Sequence, residues 1–477
     1  MELAPAGTPG RSGSADGTGA EGAPAVIPPP VVVPAPAGPP RPAGGALWAL
    51  GAGWLGSRTL LLLMVTGVLR LGGDITADVS VIYHGWYGVL QTGTFPLDDV
   101  TWQYPPGAAL VIMLPGLLPW SYLVSFWVIC GVVDALSMGL LMRAGVRAGR
   151  SYSGAWVWVA GVPLLGPMIY NRYDLLVTAL AVAGLLALLR RPAIGGLLLG
   201  LGGIIKVWPL LALIGTPSGR RTRRSWTSAA ATAGSLGFLL AAGMNGAFEF
   251  LKFQKDRGIE VESLGAMPLH FARMAGTWDG QVKMNYGSTE MLGPWVDVIS
   301  KVMVAGTLAG FAWLLFWRLT AKRRTAATTY DAALAALLVF TVTSRVISPQ
   351  YMVWLVGVAA VCLSVRATSQ RPVAVLVLLA TPLTMLEFPL LFGQVTASHT
   401  WGVVVLGLRN LLLLAAAVLS CVRLWRSSRA PATLTATVVL PAPLELTANP
   451  AYPVRPGIAY EQDLLDGIDR PHAGAER

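Results

Sequence analysis

The chain has 477 residues, of which 54% are hydrophobic and only 12% are charged, with a formal net charge of +11. Soluble domains carry about 25% charged residues, so the deficit argues against a soluble enzyme and points to a polytopic membrane protein. The positive balance does not indicate a nucleic-acid partner, because the arginines bunch in short loops between apolar runs.

Residues 1–45 form a Pro/Ala/Gly-rich tract without a basic n-region, expected as a disordered tail rather than a secretory signal. Residues 427–477 read the same way, which leaves a transmembrane domain over 46–426. A spanning helix needs about 20 apolar residues. The candidates are 47–71, 120–143, 153–170, 174–189, 228–248, 293–318, 328–343, 350–366, 372–390 and 400–423. Basic clusters lie at Arg143/Arg147/Arg150, Arg190/Arg191, Arg220–Arg224, Lys322–Arg324, Arg366/Arg371 and Arg423/Arg426/Arg429. Placing all six in the cytoplasm makes the full spans alternate correctly, with both termini cytoplasmic.

Two stretches do not fit as full spans. Pro105 to Pro119 would be about 20 Å long as a helix and is predicted to be re-entrant or interfacial. Ala193 to Thr216 begins and ends beside arginine clusters, so it is predicted to turn back as two short helices. The break is expected at "IIKVWPL", where Pro209 disfavours a continuous helix. The fold class expected is all-α, with about ten full spans and about twelve membrane elements. Cys130, Cys362 and Cys421 lie in apolar segments without motif spacing, and read as buried thiols rather than disulfides or metal ligands.

This topology gathers four polar stretches on the outer side: 72–107, 170–175, 249–290 and 344–351. In "ADVSVIYHGWYGVLQTGTFPLDDVTWQYPPG", Val79, Tyr83, Trp86 and Leu90 repeat at helical spacing, with Ser80, His84, Tyr87 and Gln91 on an adjacent face. That pattern predicts a surface helix with its aromatic side toward lipid. Asp78 at its start reads either as an N-cap or as a general base; Asp98 and Asp99 read as turn formers. Lys206 near mid-membrane costs about 2.5–3.5 kcal/mol on insertion scales, so it snorkels or has a partner or wet cavity. Free N–H groups at a broken-helix tip suit an anion. Arg172 and Asp174 are placed to pair with each other, or Asp174 caps the helix that follows. Arg345 reads as a headgroup anchor or a phosphate contact. The segment "FLKFQKDRGIEVESLGAMPLHFARMAG", with Arg257, Glu260, Glu262, His270 and Arg273, reads as an outer-surface amphipathic stretch. There is no P-loop, no GxGxxG in a βαβ context, no metal-ligand spacing and no Ser/His/Asp pattern.

Taken together, the opening stretch, "NRYDLLVTALAV", "GGLLLGLGGIIKVWPLLAL", "DRGIEVESL" and "SRVISPQYMVWL" resemble glycosyltransferase family 87 from about Trp48 to Arg426. These are actinobacterial polyprenyl-phosphate-mannose-dependent mannosyltransferases of the C-type membrane superfamily. The resemblance implies an inverting hexosyl transfer at the extracytoplasmic face of the cell membrane. The donor would be a polyprenyl-phosphate sugar and the acceptor a glycolipid or cell-envelope glycan, with no cofactor or metal. It also implies a catalytic aspartate in the first outer loop, which Asp78 matches best and Asp74 less well. Lys206 and Arg345 are expected to receive the departing phosphate, followed by Arg172 and Arg257, with Asp174, Gln350 and Tyr351 beside them. His84, Trp102, Tyr104 and His270 are candidate acceptor contacts, and Trp86 is expected to anchor the loop at the interface. Asp78, Lys206 and Arg345 should then converge on one outward cavity about 10 Å across. The rival reading is a multi-span transporter or lipid flippase, which would show an internal repeat and mid-membrane polar sites.

Overall fold

The computed structural model describes residues 44–429 apart from 71, 148 and 256. The two predicted tails lie outside the described residues, except that Gly44 already opens the first helix and the last helix runs to Arg429. The first helix, α1 (Gly44–Val65), has 22 residues, rises about 33 Å and is long enough to cross a bilayer core. A π-helical turn, Asp78–Tyr83, leads into α2 (His84–Leu90). Next come α3 (Ala108–Met113), α4 (Tyr122–Gly145) and α5 (Ser153–Gly161). α5 bends by 67° into a 3-10 segment, Pro163–Asn171. The chain continues through α6 (Asp174–Leu188), α7 (Pro192–Ile205), a 3-10 segment Trp208–Gly215 and α8 (Arg220–Gly243).

The 249–290 stretch is not one amphipathic segment. It holds α9 (Phe250–Lys255), β1 (Ile259–Glu260), α10 (Met267–Met274), β2 (Gln281–Asn285) and the start of β3 (Ser288–Leu292). The three strands form a small antiparallel sheet in the order β1-β3-β2. Helices α11 (Val296–Thr320), α12 (Ala326–Thr343), α13 (Tyr351–Leu363), α14 (Arg371–Met385), α15 (Phe392–Thr396) and α16 (Thr400–Arg429) complete the chain.

Among the described residues, six helices are long and apolar enough to cross a membrane, or seven if the bent pair is one span. Ten were expected. Two of the others, α6 and α13, have only 15 and 13 residues, about 22 and 20 Å of rise. They are buried nearly all round inside the bundle, which is why they read as spans by hydropathy alone.

The predicted hairpin breaks where expected. Lys206 has an extended backbone (φ −152°, ψ 128°) between α7 and the 3-10 segment. α7 can lie flat on α8 because its facing side is glycine: a Cβ on Gly196 would sit 2.1 Å from the Ser225 carbonyl oxygen, and one on Gly200 2.5 Å from that of Ala229. Small residues four apart are how membrane helices approach closely.

A second clamp fixes α1. Asp134 of α4 takes Arg58 Nε (2.6 Å), Trp158 Nε1 (2.6 Å) and the Tyr170 hydroxyl (2.8 Å). Arg58 Nη1 and Nη2 donate to the carbonyls of Val159 and Trp158. A buried ion pair is tolerable only when its remaining donors and acceptors are satisfied in this way.

Hydrogen bonds tie the basic loops to one another at one end of the bundle: Arg366 to the Arg150 carbonyl, Arg423 to that of Ser369, and Arg324 to Ser218. The predicted polar stretches pair among themselves. Glu260 N–H donates to the Arg345 carbonyl and the Ser348 hydroxyl to Glu260, while Phe95 N–H bonds the Asn245 carbonyl just after α8.

Candidate functional site

The aromatic stripe of the opening stretch faces the protein, which corrects the expectation of a lipid-facing side. Val79, Tyr83, Trp86 and Leu90 are all buried. Tyr83 packs on Phe126 and Tyr173, and Trp86 on Trp102 and Tyr104. Trp86 is therefore not an interfacial anchor; its Nε1 donates to Asp99 Oδ2 at 2.7 Å. Asp99 also accepts the N–H and hydroxyl of Thr101, as a turn former does. The physical cause is that enough aromatic surface stands opposite the stripe, on α4 and the 170–175 turn, to bury it within the protein.

The double proline docks this wall on the hairpin. Gly107 N–H donates to the Ile204 carbonyl at 3.0 Å, which brings Tyr104 over the hairpin break. Lys206 Nζ is then enclosed by four rings: Tyr173 and Trp354 with centroids at 5.0 Å, Tyr104 at 5.4 Å and Tyr351 at 5.5 Å. Its ion-pair partner is Asp174 Oδ1 at 2.6 Å, which also accepts Trp354 Nε1 at 2.7 Å. Lys206 does not snorkel. An ammonium held by one carboxylate and several ring faces is stabilised at that depth by charge and by cation–π attraction.

Arg172 and Asp174 do not pair with each other, contrary to one sequence reading. Arg172 is extended (φ −136°, ψ 132°), so the residues on either side of Tyr173 serve different partners. Arg172 forms an ion pair with Asp78, while Asp174 takes Lys206. Asp78 makes no side-chain cap; the residue before the π-helical turn is Ala77. Asp78, Arg172, Asp174 and Lys206 thus occupy one patch, joined by a three-residue stretch of backbone.

Arg345 stands in an adjoining cleft of about 600 Å³, whose polar walls are Arg257, Asp297, Ser300, Lys301 and Arg345. Its floor is Val304, Ala305 and Leu308 of α11, a helix of which only 6% of the apolar stretch is buried in the bundle. Arg345 Nη1 donates to the Arg257 carbonyl (2.9 Å) and to Ser300 Oγ (3.0 Å). Asp78 and Lys206 do not line this cleft, so the expected three-way convergence divides in two. Tyr104 links the halves: burial pushes its phenol up to about 12, with Asp174 and Glu260 adding to the shift and Arg257 opposing it.

Among the other expected contacts, Tyr351 stacks on Trp354 at 3.8 Å. Gln350 is buried with its Oε1 unpartnered, and His84 is exposed and stacks on Tyr122. His270 is fully buried, with Ser398 Oγ and the Val261 carbonyl each 2.8 Å from a ring nitrogen. It has no nitrogen left for an acceptor, and Trp102 at 1% exposure presents no free face. These two acceptor assignments are corrected: both side chains are consumed by packing.

The sequence reading also missed a buried set near the site. Arg409 of α16 lies 3.2 Å from Glu387 and 3.9 Å from Glu262. Arg58, Asp134, Asp331, Glu387 and Arg409 are all charges inside apolar runs, a signal that asks for a partner in each case. Among the described residues no group of three or more His, Cys, Asp or Glu is arranged to hold a metal ion.

No curated protein matches this chain. The crystal structure of ArnT from Cupriavidus metallidurans bound to undecaprenyl phosphate is similar at 13% identity and TM-score 0.41, over 81% of this chain and 78% of that one. The sequence profile of glycosyltransferase family 87 matches residues 102–349, more than half of the chain, from the aromatic wall through the hairpin to the Arg345 loop. The chain belongs to glycosyltransferase family 87.

Proposed function

We propose that this multi-pass membrane glycosyltransferase moves a hexose, mannose in the first instance, from a polyprenyl-phosphate donor to a glycolipid or envelope glycan, with inversion. The observation that carries the reading is the cleft beside the caged lysine. Arg257, Lys301 and Arg345, with the single carboxylate Asp297, stand above an apolar floor contributed by the thinly packed α11. A lipid phosphate has this same division of charge and hydrocarbon, and guanidinium groups suit its oxygens. The neighbour's bound undecaprenyl phosphate is a ligand of the same class.

In this reading the donor chain lies along α11 with its phosphate among the cations. The sugar then reaches toward Tyr104 and Tyr351, which face both the lysine cage and Arg257. Asp78 takes the acceptor hydroxyl proton as that oxygen attacks C1, and the bond from C1 to the phosphate oxygen breaks. The polyprenyl phosphate leaves as an anion whose growing charge the cations stabilise. Arg172 holds the Asp78 carboxylate in place until the acceptor arrives. The site is assigned to the extracytoplasmic face, because the basic loops share the opposite end. Residues 46–426 make up the catalytic domain.

The test uses membranes from expressing cells, radiolabelled polyprenyl-phosphate mannose and candidate glycolipid acceptors. Wild type should transfer label, and Asp78→Asn should lower kcat by about 10²–10⁴-fold with donor binding kept. Undiminished transfer by Asp78→Asn would remove the base assignment. Failure of the wild type to bind the donor lipid would remove the donor.

A further inference from the structure

We infer that Glu260 is a sugar-binding residue of this site, contacting hydroxyls of the donor hexose close to its anomeric carbon. This rests on the donor reading above and adds a group that reads the sugar rather than the phosphate.

The Glu260 carboxylate holds an unpartnered atom. Glu260 is 3% exposed, and its backbone is fixed by the β1–β3 pairing opposite Glu290 and by the N–H bond to the Arg345 carbonyl. One carboxylate oxygen, Oε1, accepts the Ser348 hydroxyl at 2.9 Å. The Ile347 N–H approaches the carboxylate, but the other oxygen, Oε2, is buried with no hydrogen-bond partner of its own. A buried charged acceptor left unpaired costs about 1–3 kcal/mol or more, so a fold that keeps one at a ligand site gains by having donors delivered to it.

The second observation is where that carboxylate lies. Tyr104 and Tyr351 both feel its charge, and these rings form two sides of the lysine cage. Arg257, a lining residue of the cationic cleft whose guanidinium bonds Glu290 and Ser288, is also within its electrostatic reach. Glu260 is thus tied through its N–H to Arg345 of the cleft and through Ser348 to the segment that carries Tyr351 of the lysine cage. Gln350 Oε1, nearby in the same loop as Ser348, is also buried and unpartnered.

The chemistry narrows the ligand. A phosphate ester offers oxygens but no donor, so it cannot satisfy an orphaned carboxylate. Sugar hydroxyls are donors, spaced so that neighbouring ones can share a carboxylate, and their ring faces pack against tyrosines. Burial also raises the Glu260 carboxyl to about 7, against Arg257 and the bonds from Ser348 and Ile347. Its present partners do not fully compensate the charge.

The test compares two lipids on purified protein in nanodiscs: polyprenyl-phosphate mannose and polyprenyl phosphate without the sugar. Wild type should bind the mannosylated lipid more tightly by about tenfold or more, as one net hydrogen bond from a hydroxyl to a charged carboxylate would give. Glu260→Gln, which removes the charge, and Glu260→Asp, which keeps the charge and shortens the reach, should bring that ratio below about threefold. The affinity of Glu260→Asp for the bare lipid, with the charge near Arg257 kept, should stay at the wild-type value. A ratio unchanged in both variants would overturn the assignment and leave the donor reading intact. Equal binding of the two lipids by wild type would also overturn it, while keeping the phosphate site. Binding of neither lipid by wild type would remove the donor reading and this inference together.

Discussion

Asp78 and Arg172, separated in the chain by helices α2 to α5, meet as an ion pair at the edge of the lysine cage. Arg172 has Asp174 and Glu262 within electrostatic reach as well, so it stands among carboxylates and one of them, Asp78, is 30% exposed. A base that is both accessible and held in one orientation is what proton removal in line with an attacking oxygen requires.

Arg172 should therefore act as a positioning residue. Arg172→Ala is expected to lower kcat by about 10–100-fold, with a much smaller change in donor KM, because orientation of the base is lost while the cationic cleft remains. Arg172→Lys should recover part of the loss, since it restores a cation without the planar fork. A large KM effect with kcat preserved would place Arg172 on the donor instead.

The raised carboxyl of Glu260 makes stability depend on pH in a defined direction. Its folded value of about 7 lies above the ordinary 4.5, so the folded state binds the proton more tightly than the unfolded state does. The stabilisation is complete below about pH 4.5, declines as pH rises and is gone above about 7, amounting to about 3 kcal/mol. Glu262, also raised by burial with Glu387 and Glu260 beside it, adds in the same direction. His270, lowered by burial, works oppositely and loses stability as pH falls below about 6.5. Thermal unfolding in detergent should show Glu260→Gln gaining on wild type as pH rises from 5 to 8. A difference between the two that stays flat across that range would contradict the burial argument.

The Arg58–Asp134 clamp predicts a stability effect away from the site. Asp134→Ala leaves a buried guanidinium without its carboxylate, together with the Trp158 and Tyr170 donors. The expected loss is about 3–5 kcal/mol, read as a lower melting temperature and reduced yield. Wild-type donor affinity in whatever fraction folds would agree with a purely structural role.

Gly200 offers a mechanical test of the hairpin. Gly200→Val would push α7 off α8, because even a Cβ would lie 2.5 Å from the Ala229 carbonyl oxygen. Lys206, at the end of the same helix, should lose register with its four rings. Transfer should fall by more than tenfold while Gly53→Val, at the looser α1–α5 contact, stays closer to wild type.

The sequence by itself determined that this chain is helical and membrane-embedded, where its hairpin breaks, and which loops carry polar groups. Those properties follow from local composition: apolar runs of spanning length, arginines between them, and a proline after a lysine. It also marked Asp78, Arg172, Asp174, Lys206, Arg257 and Arg345 as residues of interest. Only the tertiary structure decided how they pair, because an ion pair forms between side chains that packing brings within about 4 Å, whatever their separation in sequence. Thus Arg172 turned to Asp78 and not to its neighbour Asp174. The aromatic stripe turned inward for the same reason: a helical repeat fixes that Val79, Tyr83, Trp86 and Leu90 share a face, but not whether lipid or protein covers it. Here the covering surface is Phe126 and Tyr173, supplied by helices far along the chain.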